Sequence, residues 1–186
     1  MNWANRLTVL RIILVPLFIA GLLYCSPERS YFYFLSLAVF LIACLTDALD
    51  GYLARRFNLK TVLGSYIDPI ADKLLLTSGF LSLSFMTHLP ESMRIPAWVT
   101  IMVIARDGII LIGSVMIFLT TNHLKAQPLY IGKITTVFQM SALFFSLISA
   151  PEPVRYTLFA LTGALTLFSG IQYIRMGSKL LQTQAN

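Results

Sequence analysis

Long apolar segments alternate with short polar segments along the whole chain. Six of these segments have the apolar character of membrane-spanning helices, and all but the first also have about the 20 residues that are needed to cross a bilayer. They cover Ile12 to Tyr24, about Tyr31 to Ala54, about Val62 to Thr87, about Ile95 to Thr120, and about residues 132–149 and 155–174. The pattern therefore predicts an all-α, polytopic membrane protein with six transmembrane helices.

The segment before the first span mixes Trp3 with Arg6 and Arg11, which is typical of a helix at the membrane interface. A secretory signal peptide would also place arginines before an apolar run, but no small-residue cleavage site follows this one. We therefore predict a short N-terminal interfacial helix that leads into the first span. Pro16 is expected to kink that span, which neighbouring helices in a membrane can tolerate.

The composition agrees with a membrane protein. Of the 186 residues, 57% are hydrophobic and 12% are charged, whereas about a quarter of the residues of a soluble domain are charged. The six spans leave no room for a separate soluble domain, so residues 1–186 are predicted to form a single membrane domain. The net charge of +6 suits anionic lipid headgroups better than nucleic acid, because the bases lie beside apolar spans.

Basic residues are distributed unequally between the two sides of the predicted membrane. Cytoplasmic loops retain Lys and Arg, so the side with more bases is assigned to the cytoplasm. The side with both termini has nine, Arg6, Arg11, Arg55, Arg56, Lys60, Lys125, Lys133, Arg175 and Lys179, and the other side has three, Arg29, Arg94 and Arg155. We expect a multi-pass protein of the inner (cytoplasmic) membrane with both termini in the cytoplasm.

Four aspartates interrupt the second and third spans near their cytoplasmic ends: Asp47, Asp50, Asp68 and Asp72. A charged residue within a bilayer costs roughly 2.5 to 3.5 kcal/mol on insertion scales, so four of them need a counter-charge. Because all four lie near one face, that face is predicted to hold the active site and to receive the substrate. The expected site is therefore cytoplasmic.

The spacing of these acids predicts two facing stripes. Asp47 and Asp50 are three residues apart on one helix, and Gly64, Asp68 and Asp72 are spaced by four on the next. If the two helices pair antiparallel, all four carboxylates converge on one cleft. Pro69 leaves two geometries open, because it either begins the second helix after Asp68 or kinks a helix that has already begun.

Converging carboxylates raise one another's pKa, and a divalent cation or two relieves that repulsion. Oxygen ligands favour Mg²⁺, Mn²⁺ or Ca²⁺, and Mg²⁺ is usually held by a few carboxylates together with substrate phosphates. The small residues Gly51, Ala54 and Gly64 leave space for a bulky diphosphate. An ion or proton-coupled transporter is the alternative from a different class, but it predicts acids spread through the membrane or an internal repeat, and the sequence has neither.

The full pattern resembles a known family signature. Asp47-x-x-Asp50-Gly51-x-x-Ala54-Arg55, eight residues, then Gly64-x-x-x-Asp68-x-x-x-Asp72, is similar to the signature of the CDP-alcohol phosphotransferases at all eight fixed positions. The likeness extends to Asn5-x-x-Thr8-x-x-Arg11 and to the six-span layout. It thus covers essentially the whole chain.

The resemblance implies a membrane enzyme that transfers a phosphatidyl group from CDP-diacylglycerol to an acceptor hydroxyl and releases CMP. It implies two Mg²⁺ or Mn²⁺ ions, a homodimer, and Asp72 as the general base. The implied metal ligands are Asp47, Asp50, Asp68 and Asp72, and the implied CDP-binding residues are Asp47, Gly51, Ala54, Arg55 and Gly64.

The acceptor depends on residues outside the signature. Arg106, Lys133 and Lys73 are candidates for binding an acceptor phosphate, although Arg106 beside Asp107 also fits a structural ion pair and Lys133 an interfacial position. The chain length and this region resemble family members that use glycerol 3-phosphate, the phosphatidylglycerophosphate synthases. The Arg106-Asp107 pair resembles the family's cardiolipin synthases, which use phosphatidylglycerol. We expect glycerol 3-phosphate, with phosphatidylglycerol as the alternative.

Overall fold

The computed structural model describes the backbone of residues 3–26, 29, 31–56, 62–121 and 130–185, and the side chains of residues 8–26, 29, 31–49, 70–113 and 130–178. Within these ranges the chain consists of six long α-helices, a short 3-10 turn at Glu91–Met93 and connecting turns. The helices are α1 (Trp3–Leu23), α2 (Tyr31–Arg56), α3 (Val62–Phe85), α4 (Ala97–Thr121), α5 (Tyr130–Leu147) and α6 (Glu152–Ala185). The prediction of an all-α fold is confirmed.

Three segments of the described chain are long and apolar enough to cross a membrane: Tyr31–Leu49, Glu91–Gly113 and Glu152–Ser178. A shorter apolar helical segment covers Thr8–Leu23. These segments indicate a multi-pass membrane protein, while the count of six spans stays a prediction. No separate interfacial helix can be distinguished at the described N-terminus, because α1 runs without a break from Trp3 and includes Pro16.

The chain forms two compact units. The first comprises Met1–Arg94 with Leu147–Ser149, and the second comprises Ile95–Ser146 with Ala150–Asn186. The first unit therefore contains α1, α2 and α3, and the second contains α4, α6 and nearly all of α5. The prediction of one domain over residues 1–186 stays a prediction.

In the first unit, α1 packs against both α2 and α3. Phe18, Phe40 and Phe80, one from each helix, are almost completely buried and form the centre of its apolar core. The α1–α2 approach is close at Gly21, where an added Cβ atom would collide with Ser36 Oγ. After α3, His88 Nε2 lies 2.9 Å from Leu22 O and so satisfies a carbonyl at the C-terminal end of α1.

In the second unit, α4 packs against α6, where Gly163 lies against the ring of Trp98. Helices α5 and α6 are joined by hydrogen bonds from Thr135 Oγ1 to Leu165 O and from Thr162 Oγ1 to Phe138 O, both 3.3 Å long. The bonded residue of α6 moves from 165 back to 162 as the bonded residue of α5 moves from 135 on to 138, so the two helices run antiparallel. Threonine hydroxyls that bond across helices satisfy their polarity inside an apolar bundle.

Candidate functional site

Helices α2 and α3 carry the predicted acidic site. Asp47 lies in the C-terminal part of α2, and Asp72 lies in the N-terminal half of α3. Because α3 begins at Val62, Pro69 is inside a helix that has already begun, and the alternative in which Pro69 starts the helix is excluded. Gly64, residue 68 and Asp72 therefore occupy successive turns of one continuous helix.

The structure brings Asp47 and Asp72 together on the guanidinium of Arg11. Arg11 Nη1 lies 3.0 Å from Asp47 Oδ1 and also donates a hydrogen bond to Asp72 Oδ1. Two oxygens that accept hydrogen bonds from the same nitrogen are at most about 6 Å apart, and this limit applies to the Oδ1 atoms of Asp47 and Asp72. The first and last aspartates of the motif thus converge, as predicted, although they come from different helices.

Arg11 is almost completely buried, whereas the carboxylates remain accessible. The side chain of Arg11 is 1% exposed, and those of Asp47 and Asp72 are 34% and 31% exposed. Among the described residues, no hydrogen-bond partner is found for Arg11 Nε or Nη2. The acids therefore present oxygen atoms to open space on one side and share one buried cation on the other.

Arg11 was missed as a site residue by sequence reasoning, which assigned it to an interfacial helix and counted it among the loop bases. The structure instead buries it in α1 against the acids. The sequence did contain a signal, because Arg11 is the last residue of the pattern Asn5-x-x-Thr8-x-x-Arg11. In the structure, Thr8 of the same pattern is also buried. The pattern alone did not indicate which residues Arg11 would contact.

The two converging carboxylates fit the donor set expected for a hard divalent cation, which prefers oxygen ligands. Within the described side chains, no three His, Cys, Asp or Glu residues lie close enough together to hold a metal ion. The other two predicted ligands, Asp50 and Asp68, have side chains outside the described residues, as do the predicted CDP-binding residues Gly51, Ala54, Arg55 and Gly64. The described part of the site thus supplies two of the four predicted ligands.

A second buried arginine lies in the second unit. Arg106 Nη1 donates to Asp107 Oδ1 at 2.7 Å, and Nη2 donates to Ser169 Oγ on α6 at 2.9 Å. The guanidinium carbon also lies 5.6 Å from the ring centre of Tyr173, within range of a cation–π contact. The ion pair with Asp107 is therefore present, and a role of Arg106 in binding an acceptor phosphate stays a prediction.

The start of α5 lies directly against this guanidinium. A Cβ atom added at Gly132 would lie 3.1 Å from Arg106 Nη2 and 3.0 Å from Tyr173 Oη, so only glycine fits there without movement of its neighbours. Lys133 follows in the chain and is exposed, with Nζ 5.6 Å from the ring centre of Tyr130. Arg106 and the backbone that carries Lys133 are therefore neighbours, while Lys73 lies beside Asp72 in the first unit.

A cavity of about 450 Å³ lies at the other end of the first unit, near the C-terminal end of α1. It is lined by Cys25, Ser26, Tyr33, His88, Pro90, Met93 and Ser149, and none of the predicted site residues with a described side chain is among them. Cys25 is 14 residues from Arg11, which corresponds to roughly 20 Å along a helix. The cavity is therefore separate from the acids.

Comparison with known proteins assigns the chain to a family. Residues 1–168 match the family model of the CDP-alcohol phosphatidyltransferases. A probable phosphatidylglycerophosphate synthase of Mycobacterium tuberculosis is 32% identical over 177 residues, which cover 93% of this chain and 80% of that protein.

Two further relatives carry the name CDP-diacylglycerol–glycerol-3-phosphate 3-phosphatidyltransferase. The protein from Pseudomonas fluorescens is 34% identical over 98% of this chain and 93% of its own length. The protein from Escherichia coli K12 is 33% identical, with 93% of each chain covered. The match over most of the chain, together with the converging acids of the motif, shows that this protein belongs to the CDP-alcohol phosphatidyltransferase family.

Proposed function

We propose that this protein transfers the phosphatidyl group of CDP-diacylglycerol to glycerol 3-phosphate, giving phosphatidylglycerophosphate and CMP. The names of the relatives from three bacteria support this acceptor. The observation that carries the proposal is the convergence of Asp47 and Asp72, the first and last acids of the motif, on one buried guanidinium. The reaction belongs to phospholipid biosynthesis.

In the proposed reaction, a hydroxyl oxygen of the acceptor forms a new bond to the lipid-linked phosphorus of the donor. The bond from that phosphorus to the oxygen of CMP breaks, and CMP leaves with the bonding electrons. Asp72 accepts the proton of the attacking hydroxyl, which a partly exposed carboxylate is able to do. Asp72 is therefore the proposed catalytic residue.

Two Mg²⁺ or Mn²⁺ ions, when bound, would neutralise charge on the diphosphate and on the leaving group. Asp47, Asp50, Asp68 and Asp72 are the proposed ligands. Asp47, Gly51, Ala54, Arg55 and Gly64 are proposed to hold the CDP moiety, since the small residues leave space for its diphosphate. These roles rest on the match to the family signature, position by position.

The proposed acceptor-binding residues are Arg106, Lys133 and Lys73. The charge of Arg106 is balanced by Asp107, so Arg106 would contribute hydrogen bonds to the acceptor phosphate more than net positive charge. Lys133 is exposed and brings a positive charge to the start of α5, which makes it the main candidate for contact with the phosphate of the acceptor. Lys73 lies next to the proposed base.

The proposed setting is the inner (cytoplasmic) membrane. Six spans with both termini in the cytoplasm would put the acids at the cytoplasmic face, where a lipid donor in the bilayer meets a water-soluble acceptor. Residues 1–186 are proposed to act as a single family domain. A homodimer is proposed from the family resemblance.

The test is an assay of the purified protein with labelled CDP-diacylglycerol and Mg²⁺ or Mn²⁺. Glycerol 3-phosphate, phosphatidylglycerol and buffer are offered in parallel, and CMP and the lipid product are measured. We expect phosphatidylglycerophosphate with the first acceptor only, and no activity after removal of the metal with a chelator. Formation of cardiolipin would show that phosphatidylglycerol is the acceptor in place of glycerol 3-phosphate. Absence of CMP with every acceptor would refute the enzyme assignment.

Asp72→Asn tests the proposed base in the same assay. Loss of a general base lowers turnover by roughly 10²- to 10⁴-fold. The variant is expected to retain the thermal unfolding midpoint of the parent within a few degrees, which separates lost chemistry from lost folding. A variant that retains full turnover would rule out Asp72 as the base.

A further inference from the structure

We propose that Arg11 is an internal counter-ion that competes with the divalent cations for Asp47 and Asp72, so that it holds the metal site together before metal binds and yields the carboxylates when metal binds. This proposal rests on the proposed function, because it assumes that the two aspartates are metal ligands. It concerns Arg11, which lies outside the signature and was not predicted to be part of the site.

One nitrogen, Arg11 Nη1, lies within hydrogen-bond distance of Oδ1 of both carboxylates. The positive charge of Arg11 therefore contacts both acids at once. A cation that binds both carboxylates, through these or through their other oxygens, lies within a few ångströms of the positive charge of Arg11.

The charges around Arg11 also bear on metal binding. When both acids are ionised, their two negative charges face the single positive charge of Arg11. The carboxylates are about one-third exposed, so an ion can reach them from the open side, whereas Arg11 lies on the buried side. A positive charge within a few ångströms of a cation site weakens cation binding. Arg11 therefore weakens metal binding as long as its guanidinium contacts the two carboxylates.

The guanidinium of Arg11 makes few of the hydrogen bonds that it could make. A guanidinium has five N–H donors and pairs most strongly with a carboxylate through two parallel bonds. Arg11 instead uses one nitrogen for both acids, and within the described residues Nε and Nη2 find no hydrogen-bond partner. Arg106 differs, since it bonds through two nitrogens to Asp107 and Ser169. Among the described residues, the two carboxylates are thus the hydrogen-bond partners of the Arg11 guanidinium, and Arg11 competes with a metal ion through this one nitrogen.

The test compares Mn²⁺ binding by the full-length protein and by Arg11→Gln, with isothermal calorimetry in detergent and without substrate. Arg11→Gln is expected to bind Mn²⁺ at least about tenfold more tightly, because the competing charge is gone. Its metal-free form is expected to unfold at least about 3 °C below the parent, because the acids then repel each other, and Mn²⁺ should restore most of that difference. Arg11→Lys retains the charge and should bind Mn²⁺ with an affinity within about threefold of that of the parent.

Arg29→Gln is the matched control. It removes the same charge from an exposed position in the first unit, at the connection between α1 and α2, and should leave Mn²⁺ affinity within twofold of the parent. If Arg11→Gln binds Mn²⁺ with equal or lower affinity, Arg11 is a purely structural partner and the proposal is wrong, while the proposed function stands on CMP release. If Arg11→Gln does not fold, Arg11→Met, which also removes the charge and keeps a long side chain, decides on the same criterion. If the parent itself binds no Mn²⁺, the proposed metal site fails together with this inference.

Discussion

Arg11 in the first unit and Arg106 in the second are both buried, and their surroundings suit them to different tasks. Arg106 is bonded to Asp107 and Ser169 and covered by the ring of Tyr173, so several contacts fix its position. Arg11 contacts its two acids through a single nitrogen. A neutralised, fixed Arg106 is poorly placed to supply net charge to an acceptor, which shifts that role to a neighbouring base.

Lys133→Gln tests this division of roles. The loss of a hydrogen bond to a charged group costs about 1.5 to 3 kcal/mol, which corresponds to roughly a 10- to 100-fold rise in KM for glycerol 3-phosphate. KM for CDP-diacylglycerol should not change, and steady-state kinetics measure both. Arg175→Gln removes another exposed base of the second unit and serves as the control. Equal kinetics for the two variants would rule out Lys133 as the acceptor-binding base.

The residues of the site were predictable to different degrees, for a physical reason. The Arg106–Asp107 pair was foreseen as one alternative because the partners are adjacent in sequence. The approach of Asp47 to Asp72 was predictable because regular helical spacing and a short connection limit the geometry. The contact of Arg11 with Asp72 spans 61 residues. Such a contact depends on how α1 packs against α3, which no local pattern encodes.

At the scale of the helices, the apolar segments predicted the all-α fold and where the long helices lie, but not where those helices end. Helix α6 runs from Glu152 to Ala185, whereas the predicted span covered about residues 155–174. Hydrophobic length is set by the thickness of the bilayer, while a helix continues until a residue stops it. The same reason explains why α1 starts at Trp3, in the segment that was predicted to be a separate interfacial helix.

Gly21→Ala tests the close approach of α1 and α2. The new Cβ atom would collide with Ser36 Oγ, which donates a 2.9 Å hydrogen bond to Phe32 O, and would lie 3.4 Å from that carbonyl oxygen. Overpacking of this kind costs about 1 to 3 kcal/mol, or roughly 2 to 4 °C of thermal midpoint per kcal/mol for a chain of this size. Thermal unfolding in detergent measures the shift.

Two further variants make the interpretation specific. Gly21→Ala combined with Ser36→Ala removes the colliding oxygen and should recover most of the loss. Gly113→Ala is the matched control in α4, where no described atom lies within 4 Å of the added Cβ, so it should be neutral or stabilising by up to about 1 kcal/mol. Equal losses for Gly21→Ala and Gly113→Ala would show that helix packing at Gly21 is not the cause.

At the scale of the whole molecule, the buried arginines also bear on membrane orientation. Arg11 and Arg155 were counted as loop charges, but both are buried, and Arg155 Nε bonds to Ala150 O. Without them the predicted cytoplasmic side keeps eight of its nine bases and the opposite side two of its three. The asymmetry that predicts the orientation therefore survives, since it never depended on these two residues.

Cysteine labelling tests that orientation, because the chain has two cysteines and Cys25 lies in the connection between α1 and α2. In a Cys44→Ala background, a membrane-impermeant maleimide should label Cys25 in intact spheroplasts. In a chain without either native cysteine, Ser178→Cys near the end of α6 should be labelled only after permeabilisation. Labelling of Ser178→Cys in intact spheroplasts would contradict cytoplasmic termini.

The pH dependence of the same reaction reports on the environment of Cys25. Burial raises the pKa of the Cys25 thiol above its ordinary value, and the thiolate is the form that attacks the maleimide. At any pH below the raised pKa, the thiolate fraction is therefore smaller than in an exposed cysteine, and the rate should keep rising, about tenfold per unit, through pH 8.5. Arg29→Cys, exposed in the same connection, should react faster than Cys25 at pH 7.5 and level off at lower pH. Equal rates and equal pH profiles at the two positions would show that the wall of the cavity around Cys25 does not shield its thiol in the membrane.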